Sequence, residues 1–79
     1  MRNKQWFLSQ AILLLLKNAF KDLKLNKVWL MTFSTNIKAR RLYTKVGFKK
    51  EGVLKEDYLL RGEFHDIVRM AVLKKDFQK

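Results

Sequence analysis

The stretch from Lys27 to Phe33 (KVWLMTF) constrains the chain more than any other. It is a nearly unbroken apolar run rich in strand formers, which suits a strand covered on both faces in a parallel or mixed sheet. The flanking segments must then supply the layers that cover it. From about Gln5 to Leu23, residues Leu8, Ala11, Ile12, Leu15, Leu16, Ala19 and Leu23 recur at three- and four-residue steps, the spacing of one helix face. Leu13, Leu14 and Phe20 lie off that stripe and offer a second apolar face, either to other elements or to another chain.

After the strand, a helix is expected over about Asn36 to Val46. Ser34, Thr35 and Asn36 are candidate N-caps, and Gly47 is the residue that best tolerates a left-handed C-cap. The remainder reads as two strands, about Val53 to Leu60 and Phe64 to Leu73, joined through Arg61-Gly62-Glu63 in a hairpin, with a bend or bulge at Gly52. The order is helix, strand, helix, strand, strand: an α/β arrangement with a mixed three-stranded sheet and two helices. The first strand and the one after the crossover helix need not be neighbours.

Length narrows the possibilities further. A chain of 79 residues with no cysteine makes one small domain at most, and such a domain buries only about 60% of its unfolded surface. Without disulfides or a Cys/His zinc cluster, it leans on tight packing or on a partner subunit. The single His65 forms no metal site by itself, so no metal is expected. The longest pure apolar run, Ala11 to Leu16, is far below the roughly 18–20 residues a bilayer needs. No small-residue cleavage site follows the N-terminal basic residues. No membrane partner is expected, and a cytoplasmic location is. The formal charge of +11 favours contact with polyanions but names none, and the scattered basic residues read first as a solvated surface.

Within the second helix, Ala39, Leu42, Tyr43 and Val46 form one apolar stripe, while Lys38, Arg41 and Lys45 cluster opposite. Asn36, Arg40 and Tyr43 fall along a border of that stripe. Each taken singly has an ordinary structural role: a cap, a surface charge and an amphipathic core-edge ring. As a set they spell N-x-x-A-x-x-L-Y-x-x-x-G-F, matched by Asn36, Ala39, Leu42, Tyr43, Gly47 and Phe48.

This pattern resembles the signature of the GNAT N-acetyltransferases. The flanking segments LNKVWLMTFSTN and KKEGVLKEDYLLRGEFHDIVRMAVL look like the branch that holds ribosomal-protein N-terminal and spermidine acetyltransferases. The resemblance covers essentially the whole chain but only the C-terminal half of that fold. It implies acetyl-CoA as cofactor and an amine acceptor: a protein N-terminus, a polyamine or another small amine. It implies Tyr43 as the general acid that protonates the departing thiolate. It further implies Asn36 on the pantetheine arm or an ordered water, Arg40 near the phosphates, and Ala39, Lys4 and Gln5 among the cofactor-binding residues.

Two departures from the family pattern carry expectations of their own. The stretch Arg2 to Gln10 stands where the family has a glycine-rich pyrophosphate loop, yet it contains no glycine. Trp6 and Leu8 take the glycine places, where large side chains obstruct backbone approach to a phosphate, although Arg2 and Lys4 offer positive charge. Trp6, Phe7 and Leu8 read equally as packing residues at a helix start. The first half of the family fold is also missing, which leaves the Lys27 to Phe33 edge open and apolar, a surface that recruits another chain. A homodimer, a swapped assembly or a fragment of a longer protein is therefore expected. His65 reads as a solvent-facing residue at the hairpin end, and Asp66 as either a structural acid or part of the acceptor site. The competing function is a non-enzymatic basic module that binds nucleic acid or an acidic protein on a degenerate scaffold of this kind.

Overall fold

The computed structural model describes residues 4–77. Its elements are α1 (Lys4–Lys21), β1 (Lys27–Phe33), α2 (Ile37–Lys45), β2 (Lys49–Leu60), β3 (Glu63–Leu73) and a four-residue α3 (Lys74–Phe77). The strand order is β1-β3-β2, and β3 pairs antiparallel with both neighbours. The expected mixed sheet is thus corrected. The hairpin return strand inserts between β1 and β2, which run the same way but never pair, so every ladder is antiparallel.

The sequence explains the turns. Arg61 and Gly62 both have positive φ, 53° and 80°, and together form a two-residue hairpin loop of the kind whose twist matches the strands. Gly47, at φ +115°, lets the chain leave α2 and turn into Phe48 at once, so β2 begins four residues before the expected Val53. The ladder slips between Lys50 and Gly52, where a bulge was expected, and again between Leu54 and Tyr58. At the second slip Glu56 takes φ 47°, and Asp66 Oδ1 accepts its N–H at 2.9 Å.

One face of the sheet carries the core. Leu16 and Phe20 of α1, Val46 and Phe48 at the end of α2, and Val68, Met70 and Val72 of β3 form one buried cluster, with Ile12, Leu13, Val28, Leu30, Tyr43 and Phe77 packed against it. The helix stripe expected for α1 is therefore rotated. Phe20 is in the core, whereas Leu8, Ala11, Leu15 and Leu23 are exposed. Apolar residues nearly encircle this helix, and the chain closes on the flank that meets Met70, Val72 and Phe77.

Among the described residues, no helix lies over the other face of the sheet. Trp29 and Met31 are about half exposed there, at 48% and 50%, so the expectation that Lys27 to Phe33 is covered on both faces fails for the described residues. Arg69 lies over the Trp29 ring, 4.0 Å from its centroid. Glu51 pairs with both Lys27 and Arg69 on this face, and those two cations hold its carboxyl below the ordinary glutamate range. No helix among the described residues is long and apolar enough to cross a membrane.

Candidate active site

The junction from β1 into α2 is tied by several hydrogen bonds. Ser34 N–H donates to the Asp66 carbonyl at 3.0 Å, and Asn36 N–H donates to the Phe33 carbonyl at 3.0 Å. Asn36 is the N-cap of α2, its side-chain Oδ1 accepting the Ala39 N–H at 3.2 Å, which satisfies one of the helix's free first-turn donors. Arg40 folds back from the first turn of α2, and its Nη1 donates to the Ser34 carbonyl at 2.8 Å. Asn36, Ala39 and Arg40 thus meet in one small network.

Tyr43 stands one turn further on. Its ring packs on Phe48, with centroids 5.7 Å apart and planes at 61°, and its inner edge abuts the core. No described residue hydrogen-bonds its hydroxyl, and among the described residues no side-chain polar atom is both buried and unpartnered. The hydroxyl is therefore not sealed from solvent while the ring is held by packing, an arrangement that suits a positioned proton donor.

Lys4 and Gln5 open α1, the first exposed and the second half-buried. Arg2, the other cation expected near the phosphates, lies outside the described residues. Trp6, Phe7 and Leu8 are about half exposed, so they are not buried packing residues. Trp6 and Phe7 instead meet edge to face, with centroids 5.1 Å apart, and the buried Ser9 hydroxyl donates to the Trp6 carbonyl at 2.8 Å. No hydrogen bond or ion pair joins Lys4 to the Asn36 network.

The donor set tests whether a coenzyme A thioester fits. At the α2 end it does: Asn36 keeps its amide N–H donors, Arg40 keeps guanidinium donors beyond the one spent on Ser34, and the Tyr43 hydroxyl is free. At the phosphate end, bulky side chains surround the first turn of α1 where the family has glycines, leaving side-chain cations instead of a backbone cradle.

Sequence reasoning missed two features. The first is a groove of about 800 Å³ on the outer flank of α2, rimmed by Arg40, Arg41, Lys45, Lys49 and Lys50 over a floor of Phe48, Val68 and Met70. No acid lines it. The clustering of Arg40-Arg41 with Lys49-Lys50 was a visible signal, hidden because it needs the α2–β2 turn to bring the pairs together. The second is an aromatic group on the open sheet face, where Phe33 sits between Tyr58 and His65, with centroids 5.5 Å and 5.3 Å away. His65 is thus half-buried against a ring and is not simply solvent-facing. Asp66 is a structural acid: it anchors the β2 bulge through Glu56 N–H and pairs with Lys55. That backbone bond, with the Lys55 charge, lowers its pKa.

No family model matches the chain. Among curated proteins, it is 36% identical to the spermidine N(1)-acetyltransferase of Vibrio cholerae over 59 residues, covering 75% of this chain and 34% of that protein. It is 31% identical to the putative ribosomal N-acetyltransferase YdaF of Bacillus subtilis, covering 81% of this chain and 35% of that one. Among solved structures, a Vibrio cholerae spermidine N-acetyltransferase SpeG chimera superposes with a TM-score of 0.92 at 31% identity, covering 98% of this chain and 46% of that chain. The spermidine N-acetyltransferase from Vibrio cholerae in complex with CoA and spermine superposes with a TM-score of 0.87 at 33% identity, covering 92% of this chain and 43% of that one. The chain spans about a third of the length of these two curated relatives.

Proposed function

We propose that this chain, which belongs to the GNAT N-acetyltransferase superfamily and carries the C-terminal half of its fold, is the proton-donating half of an acetyl-CoA-dependent N-acetyltransferase. The observation that carries the proposal is the Tyr43 hydroxyl: free of any partner among the described residues, on a ring clamped between Phe48 and the core. Similarity to enzymes named for spermidine, and to one solved with CoA and spermine, supports a polyamine acceptor.

When bound, acetyl-CoA would supply a thioester whose carbonyl carbon takes the acceptor nitrogen and whose sulfur leaves as the C–S bond breaks. Tyr43 gives its phenolic proton to that sulfur as negative charge develops, the proton shed by the acceptor nitrogen passes to solvent, and Tyr43 regains one from solvent. Asn36, held by its cap, offers its amide N–H to the acyl-carrying arm, and Ala39 leaves room beside it. Arg40 and Lys4 supply positive charge for the phosphates, with Gln5 as a neighbouring donor. A positioned proton transfer of this kind is worth about 10²- to 10⁴-fold in rate.

A second chain completes the site. Among the described residues β1 pairs only with β3, and its other edge is open beside the half-exposed Trp29 and Met31. A homodimer or exchanged assembly satisfies that edge.

The test is calorimetric titration of the purified chain with acetyl-CoA, run beside its mass by light scattering, then turnover with an amine panel. The expected result is saturable binding, with Tyr43→Phe keeping the affinity and losing at least about 100-fold in turnover. Absence of binding up to millimolar acetyl-CoA overturns the proposal, as does full turnover in Tyr43→Phe.

A further inference from the structure

On the open face of the sheet, where β1 and the hairpin end come together, lies a cavity of about 430 Å³ lined by Met31, Thr32, Phe33, Asp57, Tyr58 and Ile67. Two observations give it a chemical preference. The Phe33 and Tyr58 rings meet edge to face, with centroids 5.5 Å apart and planes at 70°, so neighbouring π faces are turned at a large angle to each other. Aromatic faces attract cations through their quadrupole. Asp57 lines the same cavity, and its carboxylate has no hydrogen-bond or ion-pair partner among the described residues.

That freedom separates Asp57 from two acids that are already paired. Asp66, nearby, is spent on the Glu56 N–H and on Lys55, and Glu51 is spent on Lys27 and Arg69. In a chain of net charge +11, four of its seven acids (Glu56, Asp57, Glu63 and Asp66) fall between positions 56 and 66. This end of the molecule is where a cation meets the least repulsion. No Lys or Arg lines the cavity, in contrast to the cation-rimmed groove beside α2.

We infer that this cavity is an ammonium-binding seat, in which Asp57 and the Phe33–Tyr58 pair hold a charged nitrogen of a di- or polyamine. Naming it the acceptor's seat rests on the transferase reading above. The nitrogen held here is a non-reacting one, because a protonated amine beside a carboxylate has no lone pair for attack. The seat therefore selects acceptors that carry a second positive charge over monoamines. Its place at the end of β1 sets it beside the loop that leads into α2, the helix that carries Tyr43.

The strength follows from exposure. Tyr58 is 51% exposed, and an exposed cation–π contact is worth roughly a 2- to 5-fold change in affinity. A solvent-exposed carboxylate–ammonium pair contributes a similar factor.

The experiment is a ¹H–¹⁵N NMR titration of the full chain with spermidine at fixed ionic strength and without coenzyme A, repeated with butylamine and with the variants Asp57→Asn and Tyr58→Leu. Both variants change exposed side chains, and their spectra report whether they fold. The expected result is saturable shifts at Thr32–Phe33 and Asp57–Tyr58, weakened about 2- to 5-fold in each variant, with butylamine weaker than spermidine. Non-saturating shifts spread over all the acids, equal in wild type and variants, would mean only counter-ion condensation and overturn the inference. So would saturable binding centred elsewhere. Amine binding here beside a complete lack of acetyl-CoA affinity would keep the seat and sink the transferase reading. Acetyl-CoA binding with no amine response at these residues would do the reverse.

Discussion

Leu15 and Leu16 sit side by side in α1, are chemically identical, and have opposite fates: Leu16 is 0% exposed and Leu15 is 63% exposed. Replacing each by alanine tests the orientation of the helix and the state of its outer face together. Leu16→Ala removes three carbons from the centre of the cluster that includes Phe20, Val68 and Met70. The transfer loss is about 2.4 kcal/mol at roughly 0.8 per carbon, and the residual cavity raises it to about 3–4. A chain of 79 residues has roughly 4–12 kcal/mol of stability in all, so this one change removes a large share. Leu15→Ala removes the same atoms from a wet surface and is expected to stay within about 0.5 kcal/mol.

Urea denaturation followed by far-UV circular dichroism, at two protein concentrations tenfold or more apart, reads both numbers. A Leu16→Ala loss below about 1 kcal/mol would refute the placement of that residue in the core. A Leu15→Ala loss equal to that of Leu16→Ala, and the same at both concentrations, would refute the rotation of α1 described above. A Leu15→Ala loss that grows with protein concentration identifies the outer face of α1 as covered by a second copy.

Three further outcomes follow from particular contacts. Asp66 and Glu51 both have pKa values below their ordinary ones; a lowered folded-state pKa stabilises above the unfolded value and the gain is lost on acidification. Stability should fall as pH drops below about 4.5, and Asp66→Asn should flatten part of that slope in a pH series of urea midpoints. Gly47→Ala has room for its methyl, the nearest atom being Val72 Cγ2 at 3.9 Å, but must hold φ +115°; the expected loss is about 1 kcal/mol or more from backbone strain alone, read by thermal melting. In the basic groove, Lys45→Glu should raise stability at low ionic strength by relieving repulsion with Arg41 and Lys49, and the gain should vanish by about 1 M salt.

Much of the fold was legible because its punctuation is local. Gly47, Gly62 and the Asn36 cap each act within a few residues, so helix ends and the hairpin could be read from spacing. The side of α1 that faces inward was not legible. Leu8, Ile12, Leu13, Leu14, Leu15, Leu16 and Phe20 nearly encircle the helix, and only the positions of Met70, Val72 and Phe77 decide among them. Strand order failed to show for a related reason: nothing in KVWLMTF says which neighbour it takes, and β3 wins that place by carrying the buried Ile67, Val68, Met70, Ala71 and Val72. At the site, the α2 residues were legible as a linear motif. The Phe33–Tyr58–Asp57 cavity was not, since it joins residues that only the long β2–β3 ladder brings together.

The Asn36–Arg40 network changes how the motif itself is interpreted. Asn36 caps α2 through Ala39 N–H, Arg40 ties the loop through the Ser34 carbonyl, and Ser34 is pinned in turn to Asp66 on β3. These residues set the direction in which α2 leaves the sheet, and hence where the Tyr43 ring meets Phe48. A loss of activity in Asn36→Ala would therefore follow from a helix that has lost its cap even if the side chain never touched a cofactor. Asn36→Asp separates the two roles, because aspartate caps a helix about as well as asparagine but has no amide N–H to offer. If Asn36→Asp keeps its melting temperature and loses acetyl-CoA affinity, the side chain contacts the cofactor. If affinity follows stability across Asn36→Asp and Asn36→Ala, the residue serves the scaffold alone, and recognition of the acyl-carrying arm must come from elsewhere on the chain or its partner.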